Sequence, residues 1–253
     1  MNKAKEFKIN NLIIVYGIVI VVSILLFVLL FGIKCINPRN IDWILKDKDL
    51  YEHYLQWDAY RHSDWTFPLM GSNALSYPEY ASYIVRNNVV GLEILFKLIS
   101  PLLPTNFQFF GAWGLICFIL QGICSVKLFD KMFDDNNKVL VSSVIYCALT
   151  ALMGRMYYGT AMSSQWILTL MAIFFIGYVR GEYEAKQLYR YIVIITIIAG
   201  LNSPVYSIFF LCFLVGVIVW DALNREEQIG VKLFGISFVI SYVMLLVGNC
   251  ETR

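Results

Sequence analysis

Apolar and polar positions are sharply segregated along this chain. Long apolar runs alternate with short polar connections, and one polar stretch is far longer than the rest. The first run, Leu12 to Ile33, matches the roughly 20 residues that cross a hydrocarbon core as a helix. Further runs lie at about 107–127, 138–154, 162–179, 190–201, 204–221 and 232–248. Between Tyr189 and Leu223 the pattern breaks at Asn202-Ser203-Pro204. A residue before proline is pushed out of the helical region, so two short helices meeting at a tight turn are expected there rather than one long one. Within the long connection, residues 34–106, Val89 to Leu103 is apolar but too short for a span. It carries Glu93 and Lys97 one helical turn apart, and Pro101 and Pro104 end it. A helix lying in the membrane interface, or re-entering it, fits that pattern.

The basic residues orient these elements. Lys127, Lys131, Lys138, Arg180, Lys186, Arg190, Arg225 and Lys232 fall in every second connection. The opposite short connections carry only Arg155 and, at the chain end, Arg253. Lysine and arginine collect in short cytoplasmic loops, which places the N-terminus in the cytoplasm and residues 34–106 outside. Counting 89–103 as a crossing would invert every later loop. Lys3, Lys5 and Lys8 precede the first run as in a signal peptide, but the run is too long and no small-residue cleavage site follows it. It reads as a retained anchor. The pattern predicts an all-α fold: a polytopic helical membrane protein with about seven transmembrane helices and a large extracytoplasmic first loop containing interfacial helices. Residues 1–253 form one membrane domain, with 12–33 as the first helix, 34–106 as the loop and 107–248 as the remaining helices. The chain stops just beyond a span, as the N-terminal part of a longer protein would.

Composition agrees with this division. The chain is 59% hydrophobic and only 15% charged, against about 25% charged in soluble domains. A net charge of +2 from scattered basic residues gives no footprint for nucleic acid. Of six cysteines, Cys117, Cys124, Cys147 and Cys212 sit inside apolar runs, where a thiol acts as a small hydrophobe. Cys35 and Cys250 lie at run ends, and a bridge between them is one alternative. No CxxC or Cys/His metal spacing occurs, and no GxSxG, HExxH, P-loop or GxGxxG context.

Candidate chemistry gathers in Asp42 to Pro68. This segment holds both histidines, His53 and His62, three tryptophans and many carboxylates. If 47–61 is helical, Asp49, Glu52, His53, Gln56 and Tyr60 share one face. A carboxylate beside an imidazole near a low-dielectric boundary can act as a general base; the alternative is a solvated polar face. Two such ligands fall short of a metal site, and a divalent cation stays an open alternative. Trp43, Trp57 and Trp65 suit a headgroup-level aromatic belt or a platform for a sugar ring. Arg61 and Arg86 are candidate phosphate ligands, because a guanidinium donates a planar fork of hydrogen bonds. Arg155 joins them as a lone cation on the outer side. Gln121, Gln165 and Asn202 are the main polar exceptions inside the runs; they either join helices or, for the last two, line a cavity.

A set of residues in order carries a resemblance: Asn37-Pro38, Asp49-x-x-x-His53, Trp57, Arg61, Trp65-Thr-Phe-Pro68-Leu, Ser100-Pro-Leu-Leu-Pro104, Phe107-Gln-Phe-Phe-Gly-Ala-Trp113 and Leu120-Gln-Gly122. Together these resemble a family of uncharacterised bacterial polytopic membrane proteins, a domain of unknown function similar in layout to the GT-C glycosyltransferases. The match covers about 37–205 and is densest over 49–122. It implies a polyprenyl-phosphate-linked sugar donor used outside the cell, with an acidic residue of the first outer loop in the catalytic role. That role falls to Asp49, or to Asp42 nearer the helix exit, with His53 beside them. Arg61, Arg86 and Arg155 would hold the donor phosphate, and Trp57, Trp65 and Gln165 the sugar or acceptor. Asn88-Val-Val-Gly91, the absence of a histidine soon after Arg155 (Gly159 among the positions), and Asn202-Ser-Pro-Val-Tyr206 depart from the pattern. The expected partners are the donor and membrane lipids, with no resident cofactor required. A flippase for lipid-linked saccharide, or a non-catalytic partner in envelope polysaccharide assembly, are the other classes. Scarce charge within the runs and the lack of a repeat speak against transport.

Overall fold

The structure, a computed structural model, describes residues 3–67, 69–74, 81–82, 89–148, 159–224 and 229–248. Nine α-helices lie among the described residues. Arg86, Asn88, Arg155 and Cys250 fall outside them.

Helix α1 spans Lys3–Phe31 and stops where Gly32 adopts φ 74°, a left-handed conformation that glycine takes without steric cost. Asp47 then starts α2, Lys48–His62: its side chain accepts the Leu50 N–H at 3.0 Å, satisfying one of the donors a helix start leaves open. A two-residue antiparallel ladder pairs β1 (Gly71–Ser72) with β2 (Ala81–Ser82). Helix α3, Val90–Leu98, is the short apolar segment of the first loop, ended by a 3-10 turn at Ser100–Leu102 that contains Pro101.

The remaining helices are α4 (Phe110–Met132), α5 (Asn136–Cys147), α6 (Trp166–Val179), α7 (Ala185–Asn202), α8 (Pro204–Asn224) and α9 (Ile229–Gly248). Helix α7 begins five residues before the apolar run expected at 190. The reason is a capping box, in which Glu184 and Gln187 bond each other's backbone N–H. Ser203 is extended at φ −166°, so α7 and α8 separate where Pro204 demands it. The region expected to span 162–179 opens instead with a 3-10 turn, Ala161–Ser163, before α6.

Four helices, α1 from Asn11 and α4, α8 and α9, are long and apolar enough to cross a membrane; α6 is a shorter apolar helix. In α1 and α9 only 22% of the span residues are buried, so their apolar side chains, such as Leu29 and Val239, face outward. An apolar helix that keeps its hydrophobic surface outside is matched to lipid rather than to a water-facing fold.

The helices alternate in direction, which gathers their ends into two groups. At one end, Gln108 donates through Nε2 to the Cys35 and Asn37 carbonyls, both at 2.8 Å, and accepts the Gly111 N–H at 3.0 Å. This pins the start of α4 to the exit of α1. Gly111 has no room for a Cβ against the Cys35 carbonyl. Leu69 N–H reaches the Val247 carbonyl of α9 at 2.9 Å, bringing the first loop to the same end. At the other end Lys131 pairs with Glu182, and Asp221 accepts from Tyr178 Oη at 2.5 Å and from Gly230 N–H at 2.7 Å. One buried cluster fills the bundle between α4, α6, α7, α8 and α9. A second lies under the first loop and joins α2, α3, the start of α4, Ala161 and, at its margin, Leu245 of α9.

Candidate functional site

Helix α2 divides along its length and around its axis. Leu50, Tyr54, Trp57, Tyr60 and Arg61 are buried, while Asp49 and Glu52 in the first turns stay exposed. His53 and Gln56 are half-buried. Asp49 and Tyr60 lie at nearly the same helical angle, yet Tyr60 is fully buried and its hydroxyl donates to the Leu69 carbonyl at 2.7 Å. The first loop and α3 cover the C-terminal half of α2 and leave the N-terminal half open. The expected common face is therefore split into an exposed carboxylate end and a packed aromatic end. Asp42, on the approach to the helix, is also exposed, and Asn40 Oδ1 accepts its N–H at 3.1 Å.

Two residues expected in the site lie in the interior instead. Trp57 is fully buried, donates Nε1–H to the Phe107 carbonyl at 3.1 Å, and stacks edge-on with Phe107 and Phe109. It presents no face to a sugar. Arg61 is 5% exposed and spends its guanidinium on the turn after α3. Nε donates to Ser100 Oγ at 2.8 Å, Nη1 to the Thr105 carbonyl and Nη2 to the Ser100 and Leu103 carbonyls, each at 3.3 Å. With Phe107 beneath it at 5.8 Å, Arg61 ties the Pro101–Pro104 turn to α2. Both residues belong to the ordered set that carries the resemblance, and their contacts explain the spacing physically.

Sequence reasoning missed the depth at which α3 packs. Glu93 and Lys97 are 1% and 4% exposed, so α3 turns its polar turn inward against α2 and leaves Leu95 and Leu98 outside. Lys97 Nζ donates to Ser63 Oγ at 3.1 Å and the Asp64 carbonyl at 3.2 Å, and lies 4.0 Å from the Tyr60 ring and 4.8 Å from the Trp65 ring. Burial drives its pKa down to about 8, with Asp64 opposing. Trp65 remains 49% exposed, open to solvent or ligand on the side away from Lys97.

Next to this assembly, α3, α4, α6 and α7 enclose an apolar cavity of about 350 Å³, within the roughly 300–1,000 Å³ of small-ligand sites. Gly91, Leu92, Trp113, Trp166, Leu201 and Asn202 contribute to its walls. Trp113 Nε1 is buried with no acceptor among the described residues. Asn202 is fully engaged: Oδ1 accepts from Ser164 Oγ at 2.8 Å and Nδ2 donates to the Ala161 carbonyl at 3.2 Å. Gln165, just before α6, is half-buried and donates to the Met162 carbonyl at 2.9 Å. The polar floor formed by Thr160, Ser163, Ser164 and Asn202, all buried, was legible only as Asn202 in the sequence; the serines gave no periodic signal. Among the described residues no group of three or more His, Cys, Asp or Glu side chains is placed to hold a metal.

The fold and this site define a helical protein carrying several helices fit to span a membrane, with a polar first loop folded over one end. The DUF6311 family, a domain of unknown function, matches residues 20–252. The chain belongs to that family. No curated protein and no solved structure matches it.

Proposed function

We propose that this chain is a membrane glycosyltransferase of GT-C type, moving a sugar from a polyprenyl-phosphate-linked donor to a cell-envelope glycan or lipid on the outer face. In this reading α1 and α4–α9 make seven crossings, the N-terminus is cytoplasmic, and the end that carries α2 and α3 is extracytoplasmic. The observation that carries the reading is the pairing of an exposed carboxylate end, Asp42 and Asp49, with an apolar cavity in the helices below the same loop. Lipid-linked sugar transfer needs both: a base for the acceptor hydroxyl in water and an apolar place for the chain that carries the phosphate.

Asp49, with Asp42 as the second carboxylate and His53 one turn along, deprotonates the acceptor. Arg86 and Arg155 neutralise the departing phosphate, since Arg61 is committed to backbone carbonyls. Trp65 and Gln165 meet the sugar or acceptor, and the buried Trp113 N–H offers a donor to an oxygen at the head of the lipid chain.

The test is sugar transfer in membranes supplied with lipid-linked donor. Asp49→Asn or Asp42→Asn is expected to abolish transfer at unchanged protein level, and full transfer by both variants would overturn the assignment. Movement of donor across sealed vesicles without acceptor would identify a flippase instead. Absence of both activities, with co-purification of an intact transferase, would identify a non-catalytic partner.

A further inference from the structure

Helices α7 and α9 run parallel, side by side. Thr196 and Ser237 share a hydrogen bond at 3.0 Å, Gly200 abuts Met244 one turn further on, and Tyr189 and Lys232 stand together near the two N-termini. Between the helices lies an open groove of about 600 Å³, formed by Tyr189, Lys232, Gly235, Ile236, Val239 and Ile240. Its floor is a glycine because a Cβ at Gly235 meets nothing within 4 Å: the space above it is empty of protein. Val239 is 59% exposed, so the groove opens on the outer, lipid-facing side of the bundle.

We propose that this groove is a binding site for one anionic glycerophospholipid, independent of the site under the first loop. From Lys232 to Ile240 the groove runs about 12 Å at the helical rise, close to the roughly 15 Å of one leaflet's hydrocarbon. One acyl chain therefore lies along Gly235, Ile236, Val239 and Ile240. The headgroup phosphate meets Lys232 at the mouth, with the Tyr189 phenol at headgroup level. Lys186 and Arg190, exposed in the first turns of α7, add positive charge to the same rim. The nearest described carboxylates are occupied: Glu184 in its capping box and Asp221 by Tyr178 and Gly230. The charge balance at the mouth selects an anionic headgroup over a zwitterionic one, and the groove selects a lipid over free phosphate.

The full chain in detergent is titrated with phosphatidylglycerol, or with phosphatidylcholine of the same chains, and bound lipid is counted by native mass spectrometry. One phosphatidylglycerol per chain is expected, held more tightly than phosphatidylcholine. Lys232→Ala should weaken phosphatidylglycerol about fivefold, the effect of one lysine near an anionic surface, and leave phosphatidylcholine unchanged. Gly235→Leu fills the groove without meeting protein, and should remove binding of both lipids while the thermal midpoint is kept. Equal affinity for the two lipids, unchanged binding by Gly235→Leu, or displacement of phosphatidylglycerol by equimolar inorganic phosphate would each overturn the proposal.

Discussion

At Lys97 the surroundings oppose the charge that the side chain carries. Removal from water outweighs the two hydrogen bonds, the Tyr60 and Trp65 rings and the Asp64 carboxylate, and its pKa falls to about 8 from 10.5. Between those two values the unfolded chain holds a proton that the folded chain has released, so stability rises with pH across the window. Below about pH 8 the full penalty is present. The thermal midpoint in detergent should therefore climb from pH 8 to 10, and Lys97→Met should flatten that climb and raise the midpoint at pH 7. Trp57 gives the contrasting case of a residue whose environment favours it throughout. Its full burial and its bond to Phe107 predict a loss of about 3–5 kcal/mol for Trp57→Ala, as for other large-to-small core changes. Denaturant titration measures that loss. Trp57→Ala failing to destabilise would contradict the core role.

Among elements, the start of α4 is held most tightly, and the ordered set Phe107 to Trp113 reads as the instructions for that hold. Phe107 accepts from Trp57, Gln108 clamps the 35–37 backbone, and Gly111 lets the two chains touch. Gly111→Leu must force α4 away from the exit of α1, and the expected outcome is loss of the monodisperse species on size-exclusion chromatography. Gly235→Leu, on α9, serves as the tolerated control. The short helix α3 shows why a single-helix pattern misleads here. Its Glu93/Lys97 spacing was visible, and its failure to be a span was inferred from length and charge. Which way the polar turn faces depended on α2, a helix some 30 residues away in sequence, and could not be read from α3 alone. Membrane interface favours an outward polar face; a partner helix that supplies Ser63 and Asp64 favours an inward one.

On the scale of the whole molecule, alternating helix directions put α2, α3, the starts of α4 and α6 and the end of α9 at one end, with Lys131, Glu182 and Asp221 at the other. If the seven-crossing reading holds, a cysteine at Lys46, in a cysteine-depleted background, reacts with a membrane-impermeant maleimide in intact cells. One at Asn224 reacts only after lysis. The reverse pattern, or equal labelling, would overturn the assignment of sides. The sequence alone determined the helical class, the apolar runs, the break at Pro204 and the clustering of carboxylates after the first helix, because each depends on local periodicity, length or composition. Only the tertiary structure decided that Trp57 and Arg61 face the interior and that Lys97 is buried. It also placed a cavity beside Trp113 and Asn202. These outcomes depend on which distant backbone carbonyls, rings and helices are near enough to receive a hydrogen bond or exclude water, and spacing along one segment carries no record of that.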